Sequence, residues 1–575
     1  MEKSKNDNHR HPGILKFPYT IKTSKRHFSG ETRTHHSILT TNYSILNTQY
    51  LILTAFFLFC LTGQLFSQQN NLPLNRQSLL NIEKHLNHPD NYSHTNVKPY
   101  IESVINYDAI ARLEFELQKR KERTSWLGRK LKQESLIFVD TSDFSLSIDP
   151  VFDFNFSRDV ADNSSGAEAP HFYTNTRGLA VRGNIGKKVS FESSFYESQS
   201  FFVGYINDFV KKYSVVPGQG RVKPFKGNGF DYGIASGIVS YSPSPYFNFQ
   251  FGHGKNFIGE GYRSLLLSDN AFNYPFFKIN TRFAKNKLQY TNLYASLQNL
   301  DRISFSNSTE ALFVRKSASF HYLSWNVYRR LQIGFFEGII WKTSENTYPK
   351  PVNPAYYAPL IFVNSLLLLN DTNNKTLIGT NIKYKILKNS VVYGQLILDE
   401  VEENRHGFQI GLKTFDIFRI KNLHFQAEYN TVSAFTYAHQ TPLQSYSHYN
   451  QALAHPIGAN FKEMVGIGNY RLKDLFIQLK INYITYKEDV AGSNFGRDIL
   501  KSDRDIAANI IAGNPLPVKL IYHDIAIGYT INPKTNMNII LGFTNRYYNN
   551  TVSKLNNQML YFAFRTSLFN SYYDF

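Results

Sequence analysis

The sequence holds a single cysteine, Cys60, in 575 residues. That excludes a disulfide framework, and because Cys60 lies upstream of the expected mature start, it leaves no thiol nucleophile in the mature chain. Zinc-finger spacings, basic heptads and long Lys/Arg runs are absent too, which argues against nucleic acid as the partner of a chain with net charge +19. No apolar run is long enough for a helical membrane span. The clearest, LILTAFFLFCLTGQLF at 51–66, has an uncharged core of about 13 residues, the size of a signal-peptide h-region. The SQQN that follows puts Ser67 before the expected cut, so the mature protein begins near Gln68. A lipidated cysteine is the alternative, but Phe59 stands where such a site wants a small residue. About fifty residues precede this run, more than an ordinary n-region carries; either initiation lies nearer residues 39 to 51 or the extension is genuine.

What is abundant is aromatic. Phe (47) and Tyr (38) supply most of a 15% aromatic share, a bias toward strands rather than helices. Residues 1–67 carry eight Lys/Arg against Glu2, Asp7 and Glu31, so +14 of the charge belongs to the rest of the chain. A body of that sign suits lipid phosphates or acidic polysaccharide.

Residues 75 to 134 read as helical, with Leu79, Ile82 and Leu86 on one face and a charged stretch, LEFELQKRKERTSWLGRKLKQE, after them. This predicts a periplasmic helical segment over 68–142. From Asp143 the period becomes two. In the closing strand LYFAFRTSLFNSYYDF, Leu560, Phe562, Phe564 and Leu568 are expected to point one way and Ala563, Arg565 and Ser567 the other, and in LFIQLKINYITY five apolar side chains oppose Gln478, Lys480 and Asn482. A soluble sandwich would have to bury those polar faces, whereas a barrel with a lipid-facing exterior and a wet lumen fits both.

The alternation predicts 18 strands, beginning near residues 143, 173, 188, 231, 245, 276, 287, 315, 331, 376, 390, 406, 422, 462, 474, 519, 536 and 557. Short connections such as IGKK, SPSP, AKNK, LKNS, RLKD and NPKTN alternate with longer ones. The fold class expected is therefore an all-β transmembrane barrel over 143–575, with short turns in the periplasm and long loops outside. The last strand must pair with the first, because hydrocarbon tolerates no open sheet edge. The closing aromatic, Phe575, resembles the C-terminal signal that delivers such barrels to their insertion machinery.

The long loops hold the candidate binding residues. GHGKNFIGEG lacks the Ser or Thr after Lys255 that a phosphate loop needs. Arg263, Ser264, Ser268 and Asp269 could hydrogen-bond sugar hydroxyls or carboxylates, or pack the loop against itself. The apolar loop from Trp341 to Leu377 is expected to fold inward as a lid. YAHQTPLQSYSHYNQALAHPIGANFKE offers rings and amides in the pattern of a carbohydrate site, with His448, Asn450, His455 and Asn460 as candidates, or a self-packed plug. The spacing of His448 and His455 supplies no recognisable metal set, and no cofactor is expected. Asp399, Glu400, Glu402 and Glu403 crowd a loop tip, read as a solvated acidic cluster rather than an acid–base pair.

NTRGLAVRGNIGKKVSF (175–191), VVPGQG, GHGKNFIGEGYRSLLLSDNAFNYPF, YGQLILDE and HYNQALAHPIGANFKE together resemble the gliding-motility RemB family of Bacteroidetes, which is similar in architecture to the Wzi capsule-assembly barrels. The resemblance spans nearly the whole mature chain, departing from it in the long leader. It implies a non-enzymatic outer-membrane protein that supports gliding or surface polysaccharide, with lipid, lipopolysaccharide, barrel-insertion machinery and motility proteins as partners. It transfers no catalytic residue. A passive or gated porin is the alternative.

Overall fold

The computed structural model describes residues 69–118, 123–162, 171–302, 313–345, 348–349, 352–367, 373–399, 403–490, 492–504, 514–566 and 568–575. The leader, with Cys60, Ser67 and Gln68, lies outside the described residues, as does Glu400.

Eighteen antiparallel strands close into one barrel. In chain order they are β1 Phe144–Asp159, β2 His171–Ile185, β3 Val189–Phe201, β4 Gly229–Ser244, β5 Phe247–Gly254, β6 Tyr274–Phe283, β7 Leu288–Arg302, β8 Phe313–Tyr328, β9 Leu331–Lys342, β10 Asn374–Lys385, β11 Ser390–Leu398, β12 His406–Thr414, β13 Leu423–Val432, β14 Phe461–Leu472, β15 Leu475–Glu488, β16 Leu516–Asn532, β17 Met537–Asn549 and β18 Lys554–Arg565. Every start falls within three residues of the position that the alternation predicts. One rim carries connections of two to four residues except for 415–422, where a 3-10 turn lengthens it. The other carries the long loops, with 550–553 as its one short connection.

Alternation sets the faces. Phe156, Leu179, Phe195, Val239, Phe251 and Leu541 are each at least half exposed on the outside, forming the apolar belt expected of a wall in contact with lipid. The next residues along face the lumen. Closure pairs Asp153–Asp159 of β1 with Met559–Arg565 of β18, seven rungs against fifteen between β1 and β2. Below that seam β1 would have a bare edge. An N-terminal strand, Ile137–Asp140, covers it by pairing with Ser145–Ile148. Residues after Arg565 leave the wall and turn into the lumen, so Leu568 and Phe575 are not part of the closing strand, contrary to the sequence expectation.

Much of the lumen is filled by the chain's own segments. Helix α1 (Arg76–Leu86), α2 (Glu102–Ile105) and α3 (Tyr107–Gln118) pack Leu79, Ile82, Leu86, Ile105 and Ile110 into a small core of their own. Asn75 caps α1 by accepting from the Ser78 amide. Beyond α1, Val97–Lys98 pairs with Phe257–Ile258 of the β5–β6 loop. Charges pin this segment to the wall: Lys413 meets Glu83 at 2.6 Å, and Lys385 donates to the carbonyls of His88 and Asn91 at 2.9 and 2.8 Å. Toward the long-loop rim, Leu265, Leu266, Leu267, Tyr437, Tyr446 and Leu453 of the inturned loops form an apolar core with inward wall residues such as Phe320, Phe336 and Ile397. The inner wall is thus amphipathic along its length, which the two-face reading of each strand missed.

The β9–β10 loop is the second correction. Its residues 352–367 lie against the outer wall and not over the lumen. Outward residues of β7–β9 include Asn292, His321 and Glu337, polar side chains that would interrupt the apolar belt. The loop covers them. Tyr356 stacks on Trp341 at 4.6 Å, Tyr290 donates to the Pro359 carbonyl at 2.7 Å, and the Glu337 carboxylate accepts from the amides of Phe362 and Ser365 at 3.0 and 2.9 Å. Leu360, Leu366 and Leu367 remain exposed, so the strap's outer surface restores the greasy face. The apolar composition that suggested a lid instead serves a lipid-facing cover.

Candidate functional site

The long-loop candidates converge inside the barrel. Arg263 is 1% exposed. The inturned β5–β6 loop delivers it to Glu463 of β14 at 2.9 Å and to Asp574 of the tail at 3.2 Å, with its guanidinium 4.7 Å from the Tyr262 ring centroid and 5.1 Å from that of Tyr572. A planar cation between two rings and two carboxylates uses charge and stacking together. Asp574 also accepts from the Tyr262 hydroxyl at 2.6 Å and Asn482 at 2.9 Å and meets Lys480 at 3.2 Å. Burial alone would raise the Asp574 carboxyl, but Arg263 and Lys480 outweigh it and hold it well below the usual range.

His455 sits on the same group. Its Nε2 is 2.7 Å from Glu463 and its ring stacks on Phe461 at 4.1 Å. Burial lowers its pKa against the pull of Glu463. Asp269 is bound by Asn570 and the Tyr572 hydroxyl, so the tail is held at three points. Ser264 donates to the Ile258 carbonyl and Ser268 accepts from the Asn270 amide.

The remaining candidates are apart from this cluster. His448 accepts from the Gln298 amide and reaches the Asn273 carbonyl, each at 3.1 Å, and burial pushes its pKa down to about 3. Asn450 and Asn460 are half-buried, donating to the carbonyls of Tyr213 and Phe495. Asp399 is no solvated tip: it pairs with Lys375 at 2.5 Å and accepts from the Tyr437 amide. Of the acidic group, Glu403 is the exposed member that the structure describes, next to Arg405 and Arg504. Thus Arg263, Asp269 and His455 assemble around the tail, while His448, Asn450 and Asp399 tie loops to wall and Asn460 ties loop to loop. Each of them bonds to other groups of the protein. Among the described residues no group of three metal-ligating side chains is present.

Sequence reasoning missed Glu463, Asp574, Lys480, Tyr262 and the second luminal set, in which Lys383 meets Glu260 at 3.2 Å and Thr95 donates to Glu260 at 2.5 Å. Parity could have found the strand members. Lys383, Lys413, Glu463 and Lys480 all occupy inward positions, but nothing in the sequence says which loop or tail charge each would meet.

A cavity of about 650 Å³ separates the helical segment from β1–β4. Its lining runs from residues 533–536 at the short-turn rim up to Lys255, and includes Arg182, Glu192, Glu102 and Phe569. Burial lifts the Glu102 carboxyl to about 7, opposed by Arg182. Lys255 donates to the carbonyls of Gly218 and Asp269 and is pushed down by burial to about 8.

Comparison with known proteins places this architecture. None of the curated proteins matches the sequence. Among solved structures, Wzi of Escherichia coli, an outer-membrane protein involved in group 1 capsule assembly and described as a carbohydrate-binding β-barrel, aligns with 87% of this chain and 100% of its own at 13% identity and a TM-score of 0.51. OpdK of Pseudomonas aeruginosa and OccAB2 of Acinetobacter baumannii each align with 73% of this chain at 11% identity and a TM-score of 0.39, over 98% and 97% of their own lengths. The family model for the capsule assembly protein Wzi matches residues 239–559, more than half of the sequence and thirteen whole barrel strands, β5 to β17. The chain belongs to the Wzi family of capsule assembly proteins.

Proposed function

We propose that this protein is an outer-membrane scaffold that holds surface polysaccharide through its long-loop rim, with that rim outside the cell and the short turns in the periplasm. The reading is non-enzymatic, and it rests on one observation above others. The lumen is occupied by the helical segment and the inturned β5–β6 loop, whose charges are paired to the wall, Glu83 of α1 with Lys413 and Glu260 of the loop with Lys383, so the barrel is built as a rigid mount and not as a conduit. Family membership and the carbohydrate binding described for the E. coli Wzi barrel support polysaccharide as the partner. The finer assignment to gliding over surfaces rests on the resemblance of the five quoted stretches. Deleting the gene and scoring capsule retention and colony spreading together separates the two: shed polysaccharide with normal spreading assigns the scaffold to capsule, the reverse to motility, and no change in either refutes both. The porin reading requires the pinned segment to leave. Planar-bilayer recordings are expected to show little current, and a large steady conductance would favour the pore.

A further inference from the structure

The 650 Å³ cavity runs between the helical segment and β1–β4 from the short-turn rim up to Lys255, and the proposed surface contact does not use it. Its volume falls within the 300–1,000 Å³ typical of small-ligand sites. Its lining is unusual for a plug interface. Hydroxyl and amide side chains, among them Ser78, Ser147, Ser194, Ser236 and Asn184, alternate with about as many apolar ones, and its five acidic residues are balanced by five basic ones. Tyr107, Phe138 and Phe569 add aromatic surface. A wall with hydroxyls, amides, carboxylates, aromatic rings and aliphatic surface, and no net charge, matches a neutral polyhydroxylated ligand, since sugars present many donors and acceptors on one edge and C–H groups on a face. It does not match a polyanion, although the chain as a whole is strongly basic.

Two side chains are positioned to orient such a ligand. Arg182 points inward from β2 and makes no salt bridge among the described residues. Glu192 of β3 has one oxygen engaged by Asn71 at 3.3 Å. Both are partly exposed and both line the cavity. A guanidinium and a carboxylate on adjacent strands supply donor and acceptor to neighbouring hydroxyls. The approach is from the short-turn rim, where Lys534 and Thr535 of the β16–β17 turn form part of the lining. There the cavity also touches the barrel seam, through Phe138 and Asp140 of the strand that covers β1's lower edge and through Thr566 of the tail.

We infer that this cavity is a second saccharide site, for a neutral oligosaccharide of a few residues presented at the short-turn rim, either free or as the head of a glycolipid. The inference builds on the polysaccharide reading above, but it assigns different residues and the opposite rim.

The test exploits the near absence of cysteine. In a Cys60→Ser background of the full chain, Ser194→Cys places one thiol on the cavity wall. The protein is purified in an amine-oxide detergent, so that no sugar detergent competes. Labelling by a small maleimide is timed with maltotriose, chitotriose, mannotriose or trigalacturonate at 10 mM, and with a maltotriose-headed single-chain lipid. At least one neutral trisaccharide is expected to slow labelling tenfold or more while trigalacturonate does not, and Arg182→Ala or Glu192→Gln should reduce that protection at least fivefold. Stronger protection by the lipid-borne than the free sugar identifies a glycolipid, and equal protection a soluble ligand. Thiol labelling that no neutral sugar slows, or that trigalacturonate slows equally, or protection that survives both substitutions, overturns the inference. If gene deletion sheds surface polysaccharide while no sugar protects the thiol, the cavity site alone fails. If protection occurs and deletion leaves surface polysaccharide intact, the scaffold reading alone fails.

Discussion

Glu337→Ala should peel the strap of residues 352–367 from the outer wall without opening the barrel. Glu337 is fully buried on the lipid side of β9, and its carboxylate accepts from two backbone amides, Phe362 and Ser365, and from the Ser365 hydroxyl. Hydrogen bonds to a charged acceptor contribute about 1.5–3 kcal/mol each, so the two amides alone cost about 3–6 kcal/mol when the carboxylate goes. The amides left behind would face hydrocarbon, which offers no replacement partner. The remaining attachments are neutral: Tyr356 and Tyr357 on Trp341, Tyr357 on Tyr294, Phe362 on Phe335, Asn364 at His321, and the Tyr290 and Tyr294 hydroxyls on strap carbonyls. The chain has three tryptophans, so Trp126→Phe with Trp325→Phe leaves Trp341 as a single reporter under the strap. In brominated-lipid vesicles, Trp341 emission should be quenched at least twofold more in the Glu337→Ala protein, with Glu337→Gln intermediate because its amide keeps a carbonyl acceptor. Heat-modifiable gel migration should be unchanged, since the wall's ladder is untouched. Equal quenching in all three proteins would refute the claim that this carboxylate holds the strap.

Three other outcomes follow from the luminal geometry. Arg263→Ala leaves Glu463 and Asp574 buried with reduced pairing, a change that typically costs about 3–5 kcal/mol, so the folded band on heat-modifiability gels should convert at a lower temperature; conversion at the wild-type temperature would count against the cluster as a tail clasp. Burial lowers His94 to about 4, and a depressed histidine contributes stability that is complete above pH 6.5 and lost as pH falls through about 4, so the luminal segment should loosen in that window by about 3 kcal/mol. Glu102 works oppositely: raised to about 7, its contribution is complete below pH 4.5 and gone above 7, and protease sensitivity of residues 69–118 across pH, in His94→Gln and Glu102→Gln proteins, should separate the two arms. Finally, Asp574→Asn should lower heat stability while leaving the amount of protein in the membrane unchanged. Phe575→Ala should do the reverse if the terminal aromatic acts in delivery, and equal effects on both measures would merge the two roles into one.

The barrel was legible because period-two alternation is a local property. Leu475, Ile477 and Leu479 against Gln478, Lys480 and Asn482 state their faces without help from any distant residue, and the turn-length alternation then orders the strands. The loop residues were legible only as types. Arg263 and His455 read as binding chemistry because guanidinium and imidazole serve ligands and internal ion pairs alike, and the choice is made by Glu463, 200 residues from Arg263, and by Asp574, more than 300 away. The strap failed for the same reason in reverse. Its leucines declare that it avoids water, but the lumen and the bilayer both satisfy that, and what decides is Glu337 standing at an outward position where a strand of the belt should be greasy.

That placement explains a feature of the whole design. A polar residue facing lipid and a charged residue buried in the lumen both need a partner, and the chain meets both with its own long connections: the strap outside, the β5–β6 and β13–β14 loops and the tail inside. Each is anchored by charge to an alternating strand position, Glu337 outside and Lys375, Lys383, Lys413, Glu463 and Lys480 inside. A barrel whose connections are committed in this way keeps little freedom to open as a channel. What stays uncommitted is the rest of the long-loop rim and the hydroxyl-lined space behind α1, and it is there, at the two ends of a rigid cylinder, that recognition has room to act.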